Sequence, residues 1–181
     1  MTKKLLCVII CVISAISLLA CNSSESSSEN TQNLIEDGTD NSEDGYEVVD
    51  SINIDTNEMS LIYTGHEIID GTGENEEPIK ELVVYFDYTN KTSVSISAYS
   101  GINIKAFQNG VSLINWITDG NESIENIHTE IIDSATINVG FVFELQDINN
   151  PVKIRVDNSY FSYEFEDSIE TQYQQQEISL K

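Results

Sequence analysis

The chain has 181 residues, with 31 Asp and Glu against 8 Lys and Arg and a formal net charge of −23. A field of that sign repels phosphates, which argues against nucleic acid and other polyanions as partners and favours cations or basic ones. Of three cysteines, Cys7, Cys11 and Cys21, the first two lie in an N-terminal apolar run, so neither a disulfide framework nor a thiolate metal site is expected.

Lys3-Lys4 precedes that run, Leu5 to Leu19, which ends in Leu18-Leu19-Ala20-Cys21. A membrane-spanning helix needs about 20 apolar residues. A positive start followed by roughly 7–15 apolar residues is the pattern of a secretory signal. A small residue directly before a cysteine is the mark of the bacterial lipobox, so residues 1–20 read as a lipoprotein signal peptide. That resemblance implies cleavage between Ala20 and Cys21 and a diacylglycerol on the Cys21 sulfur. Loss of Lys3 and Lys4 leaves six basic residues and a net charge near −25. The expected location is the extracytoplasmic face of the bacterial cell membrane, with the lipid anchor as the membrane contact.

Residues 21–45 are dominated by Ser, Glu, Asn, Asp, Thr and Gly, with Leu34 and Ile35 as the sizeable apolar residues after the cysteine. Such a stretch buries too little surface to offset the entropy of ordering. It reads as a disordered acidic tether, with a mean span of roughly 25 Å for a flexible chain of this length.

From residue 46 to 168 the dominant pattern is period-two alternation, the mark of strands with one buried face. Val48–Ile54 and Leu61–Ile69 open the series. Glu81–Asn90 is the clearest strand, turning Leu82, Val84, Phe86 and Tyr88 to one side and Val83, Tyr85 and Asp87 to the other. Ile102–Gln108 runs into Asn109-Gly110, a turn dipeptide whose residues both accept positive φ. Val111–Ile117 continues as a short strand carrying Trp116. Asp119–Asp133 reads as an irregular connection. Thr136–Leu145 aims Ile137, Val139, Phe141, Phe143 and Leu145 one way, Val152–Val156 follows Asn149-Asn150-Pro151, and Tyr160–Phe165 makes a last strand. Seven or eight short strands without a long helix specify an all-β, antiparallel sandwich, with a closed barrel as the alternative. Residues 169–181, rich in glutamine, read as a flexible tail.

Chemistry is sparse. No nucleophile elbow, zinc-protease helix or phosphate-cradling loop occurs. His66 and His128 stand apart in sequence, and an envelope hydrolase built on either is the least favoured reading. Calcium is the one cofactor weighed. Asp40, Ser42, Asp44 and Gly45 match the start of a calcium loop, but the twelfth position is Ser51 where a bidentate Glu is required. The acidic hairpin holding Asp70, Glu74, Glu76 and Glu77 supplies weak metal candidates, against which a solvated loop is the simpler reading. Trp116, Tyr85 and Tyr99 are candidates for an exposed aromatic patch.

The strand Leu82–Asn90 ending in Thr89-Asn90, the turn Gln108-Asn109-Gly110, and the strand Gly140–Leu145 ending in Glu144-Leu145 resemble an uncharacterised domain family of Gram-positive bacterial lipoproteins, a domain of unknown function. The likeness spans about Ser60 to Val156. It implies an immunoglobulin-like, telokin-like sandwich and supplies no catalytic residues. The expected function is non-enzymatic: an adhesion, scaffolding or binding module at the cell envelope, its partner unidentified. A cation- or small-ligand-binding lipoprotein is the alternative.

Overall fold

The computed structural model describes residues 42–43, 45–116, 120–164 and 169–181. They build a mostly β structure of two facing sheets, as the alternation requires. In chain order the strands are β1 (Ser42–Glu43), β2 (Tyr46–Val48), β3 (Asn53–Asp55), β4 (Met59–Thr72), β5 (Pro78–Asn90), β6 (Asn103–Gln108), β7 (Val111–Ser112), β8 (Asn115–Trp116), β9 (Ala135–Glu144), β10 (Val152–Asp157) and β11 (Tyr173–Ile178). One sheet runs β1-β2-β11-β10-β6-β7 and the other β3-β4-β5-β9-β8. All strand pairings are antiparallel except β2 with β11, which is parallel.

The chain changes sheet on both flanks. Expected as one strand, Val48–Ile54 is broken by a bend at Asp50-Ser51 into β2 and β3, which lie in different sheets. On the other flank the 111–116 segment pairs with β6 as β7 and then with β9 as β8, burying Leu113 between.

Between the sheets lies the core. Leu82, Val84, Phe86 and Tyr88 from β5 lie beside Val139, Phe141 and Phe143 from the neighbouring β9, and Ala106, Val152, Ile154 and Val156 face them from the other sheet. The opposite face of β5 is also covered in part. A single helical turn, α1 (Glu122–Glu125), begins where the Asn121 side chain accepts from the amides of Ser123 and Ile124, and it seats Ile124 against Val83 and Val142. Gly140 permits this approach: a Cβ there would lie 3.0 Å from Tyr85 and 3.1 Å from Ile124. The Asp119–Asp133 connection thus contains α1 and a 3-10 turn, Asn126–His128.

The sequence motifs acquire structural reasons. Asn109 (φ 54°) and Gly110 (φ 78°) form the β6–β7 hairpin with both residues left-handed. Gln108 is fully buried; its amide donates to the carbonyls of Asp147 and Asn150 and accepts from the amides of Gln146 and Asp147, pinning the β9–β10 turn. Asn90, also fully buried, donates to the carbonyls of Val94 and Ile131 and accepts from Thr92.

Three expectations need correction. Tyr160–Phe165 is not a strand: residues Ser159–Glu164 form a 3-10 helix. The Asp157 carboxylate accepts from the Ser159 amide and the Phe161 amide donates to the Asn158 carbonyl, so local side-chain bonding turns the chain immediately after β10. The tether expected over residues 21–45 overlaps β1 at Ser42–Glu43, which pairs with β2; residues up to 41 lie outside the described set. Most consequentially, residues 169–181 are not a loose tail. They contain β11, which lies between β2 and β10 and pairs with β10 over its whole length.

The reason is hydrogen bonding, to which a hydrophobic pattern is blind. Gln172 and Gln174 reach the backbone of β3, at the edge of the opposite sheet, and Gln176 reaches Ile52 just before it. Gln176 accepts from the Ile52 amide at 2.9 Å, Gln174 accepts from the Asn53 amide (2.7 Å) and donates to its carbonyl (3.0 Å), and Gln172 does the same for Asp55. Side-chain amides thereby stand in for a neighbouring strand, satisfying groups that would otherwise lack partners. Asn158, fully buried, anchors the approach by donating to the Glu170 carbonyl and accepting from the Gln172 amide.

Candidate functional site

Because strand residues alternate, β10 turns Val152, Ile154 and Val156 inward and Lys153 and Arg155 outward. Register places Lys153 between Phe107 of β6 and Glu177 of β11, and Arg155 between Lys105 and Gln175. Three of the chain's eight basic residues therefore share one sheet face. Lys80 and Lys91 lie elsewhere, in ion pairs with Asp70 and Asp55.

Arg155 is held in place. Its Nε donates to Gln175 Oε1 at 2.9 Å, and its Cζ lies 5.1 Å from the Tyr46 ring centre and 5.4 Å from that of Phe107, a cation–π arrangement on two sides. Tyr46 is fixed in turn, donating its hydroxyl to Asp157 Oδ2 at 2.7 Å and meeting Tyr173 edge-on. Burial, reinforced by that bond, pushes the Tyr46 hydroxyl well above the usual tyrosine range, so it stays a donor. Asp157, nearly fully buried, also accepts from Asn103. Beside this support lies an open groove of about 460 Å³, lined by Phe107, the Asn109-Gly110 turn, Pro151, Lys153, Arg155 and Glu177. It joins fixed positive charge to an apolar wall.

The sequence-based candidates are not gathered here. Ala20 and Cys21 lie outside the described residues, as do Asp40 and Asp44 of the partial calcium loop. Asp70 pairs with Lys80 and Glu77 folds back on the Asn75 amide, while Glu74 and Glu76 are exposed. Among the described residues no three His, Cys, Asp or Glu side chains converge as metal ligands, so the hairpin grouping is not formed. His66 is exposed and bonded through Nδ1 to the Tyr63 hydroxyl at 2.6 Å; His128 is exposed against the Tyr99 ring. Tyr85 is half-buried, donating to Glu67 and accepting from Asn121, whereas Tyr99 is 50% exposed. The backbone of Trp116 belongs to β8. What the sequence reading passed over is the basic face itself. Its signal was present: in Val152-Lys-Ile-Arg-Val156 every outward position is a cation, unusual in so acidic a chain.

Among the described residues no helix is long and apolar enough to cross a membrane. None of the curated proteins matches the chain. Two solved structures show a resemblance. One is a Bacillus subtilis protein named "putative lipoprotein (ycdA)", with 9% identity and a TM-score of 0.48, covering 70% of this chain and 38% of its own. The other is a "putative lipoprotein" of Staphylococcus aureus, with 14% identity and a TM-score of 0.46, covering 67% of this chain and 86% of its own. The present chain thus spans well under half the length of the first. A family model matches residues 24–158, a longer stretch than the strand and turn motifs alone suggested, and the chain belongs to that family, the domain of unknown function DUF5067.

Proposed function

We propose that the chain is a lipoprotein of the extracytoplasmic face of the cell membrane, and that its sandwich is a non-enzymatic, immunoglobulin-like binding module. The observation that carries the anchor is Lys3-Lys4, the apolar run to Leu19, and Ala20-Cys21. Two or three acyl chains on Cys21, each buried CH₂ contributing about 0.8 kcal/mol, hold a protein durably where one would not. Cys21 is the sole cysteine after the signal, which suits a lipid attachment point with no competing thiol. Support for binding comes from the fixed cation–aromatic face of the sheet, which presents recognition chemistry on a rigid support.

The test is metabolic labelling with an alkyne-bearing fatty acid, comparing the native protein with Cys21→Ser. The label is expected on the native protein in the membrane fraction and lost with the substitution. A native protein that stays unlabelled, or a label that survives Cys21→Ser, refutes the anchor. Crosslinking on intact cells tests the binding role through capture of a defined partner that competes with purified protein.

A further inference from the structure

We propose that the groove on the flank between β6 and β9 is a binding site for one neutral sugar ring. The proposal goes beyond the binding-module reading. It assigns a ligand class at a second place, which shares no lining residue with the groove beside Lys153 and Arg155.

The strand lengths create this opening. β7 covers the outer edge of β6 at Phe107 and Gln108, and β8 covers that of β9 at Val142 and Phe143. Ahead of both, Asn103 and Ile104 of β6 and Phe141 of β9 line a concavity of about 230 Å³. A helical turn over Ala98–Gly101, begun where the Ser97 side chain accepts from the Ser100 amide, brings Tyr99 to it, and β8 brings Asn115.

Three observations converge on a sugar. The floor is apolar, with Ile102 and Phe141 buried, and the Tyr99 ring rests against that of His128 with centroids 4.6 Å apart. A half-exposed aromatic face is therefore in position before a ligand arrives, which cuts the entropy lost on binding. Next, the polar groups are amides and a hydroxyl, each able to donate and accept. Asn103 is oriented by donating to the buried Asp157 carboxylate at 2.9 Å, and Asn115 is exposed. Finally, none of the described residues that line the groove is charged, in a chain whose residues are 22% charged.

That lining selects by elimination. An anion meets no cation in it and enters the field of a chain carrying −23. A cation meets no carboxylate in it. A wholly apolar ligand strips water from the amides without replacing the lost hydrogen bonds. A pyranose ring meets both demands: its C–H face covers an aromatic ring while its hydroxyls exchange hydrogen bonds with the amides. The volume falls below the range of about 300–1,000 Å³ usual for drug-sized ligands, so the groove takes one ring rather than a run of them.

The experiment titrates the full chain, purified in detergent, with glucose, galactose, mannose and N-acetylglucosamine, each free and as its methyl glycoside, following amide chemical shifts by NMR. Methyl glucuronide is the anionic control. The expected result is saturable binding of at least one neutral sugar at tens of millimolar or below, with shifts centred on Tyr99, Asn103, Ile104 and Asn115. The glucuronide should bind at least fivefold more weakly, and the neutral sugar should respond little to salt. Tyr99→Ala and Asn115→Ala should each weaken binding at least fivefold, with folding checked by the thermal transition, and Tyr99→Phe, which keeps the ring, should retain more affinity than Tyr99→Ala. If the methyl glycoside binds as well as the free sugar, the source is the end of a glycan; if only the free sugar binds, it is a small solute. No saturable shift from any sugar, shifts centred elsewhere, a glucuronide that binds equally well, or unchanged affinity in Tyr99→Ala overturns the proposal. Partner capture on cells that still succeeds after such a failure leaves the binding-module reading intact and discards only this site.

Discussion

The glutamine ladder of β11 makes a graded prediction about stability. Gln172, Gln174 and Gln176 serve the same strand edge at increasing burial, because the amides they satisfy are exposed at Asp55, half-buried at Asn53 and buried at Ile52. Replacing each glutamine by leucine keeps most of the volume and removes the hydrogen bonds. Gln176→Leu strands the Ile52 amide in a position water does not reach, and a buried donor without a partner costs about 1–3 kcal/mol. At about 2–4 °C per kcal/mol for a domain of this size, the melting temperature should fall by about 2–12 °C. Gln174→Leu loses two bonds at a half-buried position, where water replaces part of what is lost, and should cost about 1–2 kcal/mol. Gln172→Leu should stay within about 0.5 kcal/mol, as surface changes usually do. Thermal unfolding by circular dichroism gives the series, and hydrogen exchange at the Ile52 amide reports on the bond itself. If Gln176→Leu matches the native protein in melting temperature and in Ile52 protection, the side chains do not substitute for a strand and the account of β11 is wrong.

Other consequences are more local. Asn90→Ala removes a buried hub bonded to Val94, Ile131 and Thr92, and should cost about 2–4 kcal/mol in urea unfolding with an unchanged m value. Glu81 is buried on β5, and burial first, then Glu144 across the ladder, raises its pKa above the ordinary value of 4.5. The native state then holds this proton to higher pH than the unfolded chain, so stability falls as pH rises from about 4.5 through the folded value. Glu81→Gln should accordingly raise the melting temperature at pH 7 and make little difference at pH 4. Asp147 behaves oppositely: the amides of Asn150 and Asn149 lower its pKa to about 2. Its contribution is complete above the usual carboxylate range and fades as pH falls toward 2, so Asp147→Asn should flatten the acid limb of the stability profile.

Much of this fold was legible because alternation records which side of a strand meets the core. The residues Leu82, Val84, Phe86 and Tyr88, and Val139, Phe141, Phe143 and Leu145, point where their spacing says. Asn109-Gly110 turns the chain because the two tolerate positive φ, a property of the residues themselves. Legibility failed where polar groups carry the structure. Gln174 and Gln176 are inward-facing and buried, yet a hydropathy pattern reads them as solvent-exposed. Ser159–Glu164, with three aromatic residues, has the composition of a strand, but Asp157 and Asn158 bend the backbone before it can extend. The basic face was missed for another reason. Lys153 and Arg155 share a side of β10 by spacing alone, but Lys105 is fifty positions from Arg155, and only the β6–β10 register makes the three a face.

The arrangement of strand edges bears on where a partner would dock. An exposed edge offers unpaired backbone groups to any other strand, and proteins blunt that hazard with short edge strands, bulges and charges. Among the described residues β1, β7 and β8 are two residues each, and β3 has its outer edge occupied by glutamine amides. Past its pairing with β3, β4 is long, but it is bulged between Tyr63 and Gly65 and carries Glu67 and Asp70. Such protection limits edge-to-edge association of the sheets. The same protection makes strand addition a poor recognition route for this sandwich. Recognition is better placed on a sheet face, where side chains select the ligand, and the β6–β10–β11 face has the charge, the aromatic support and the concavity to do so.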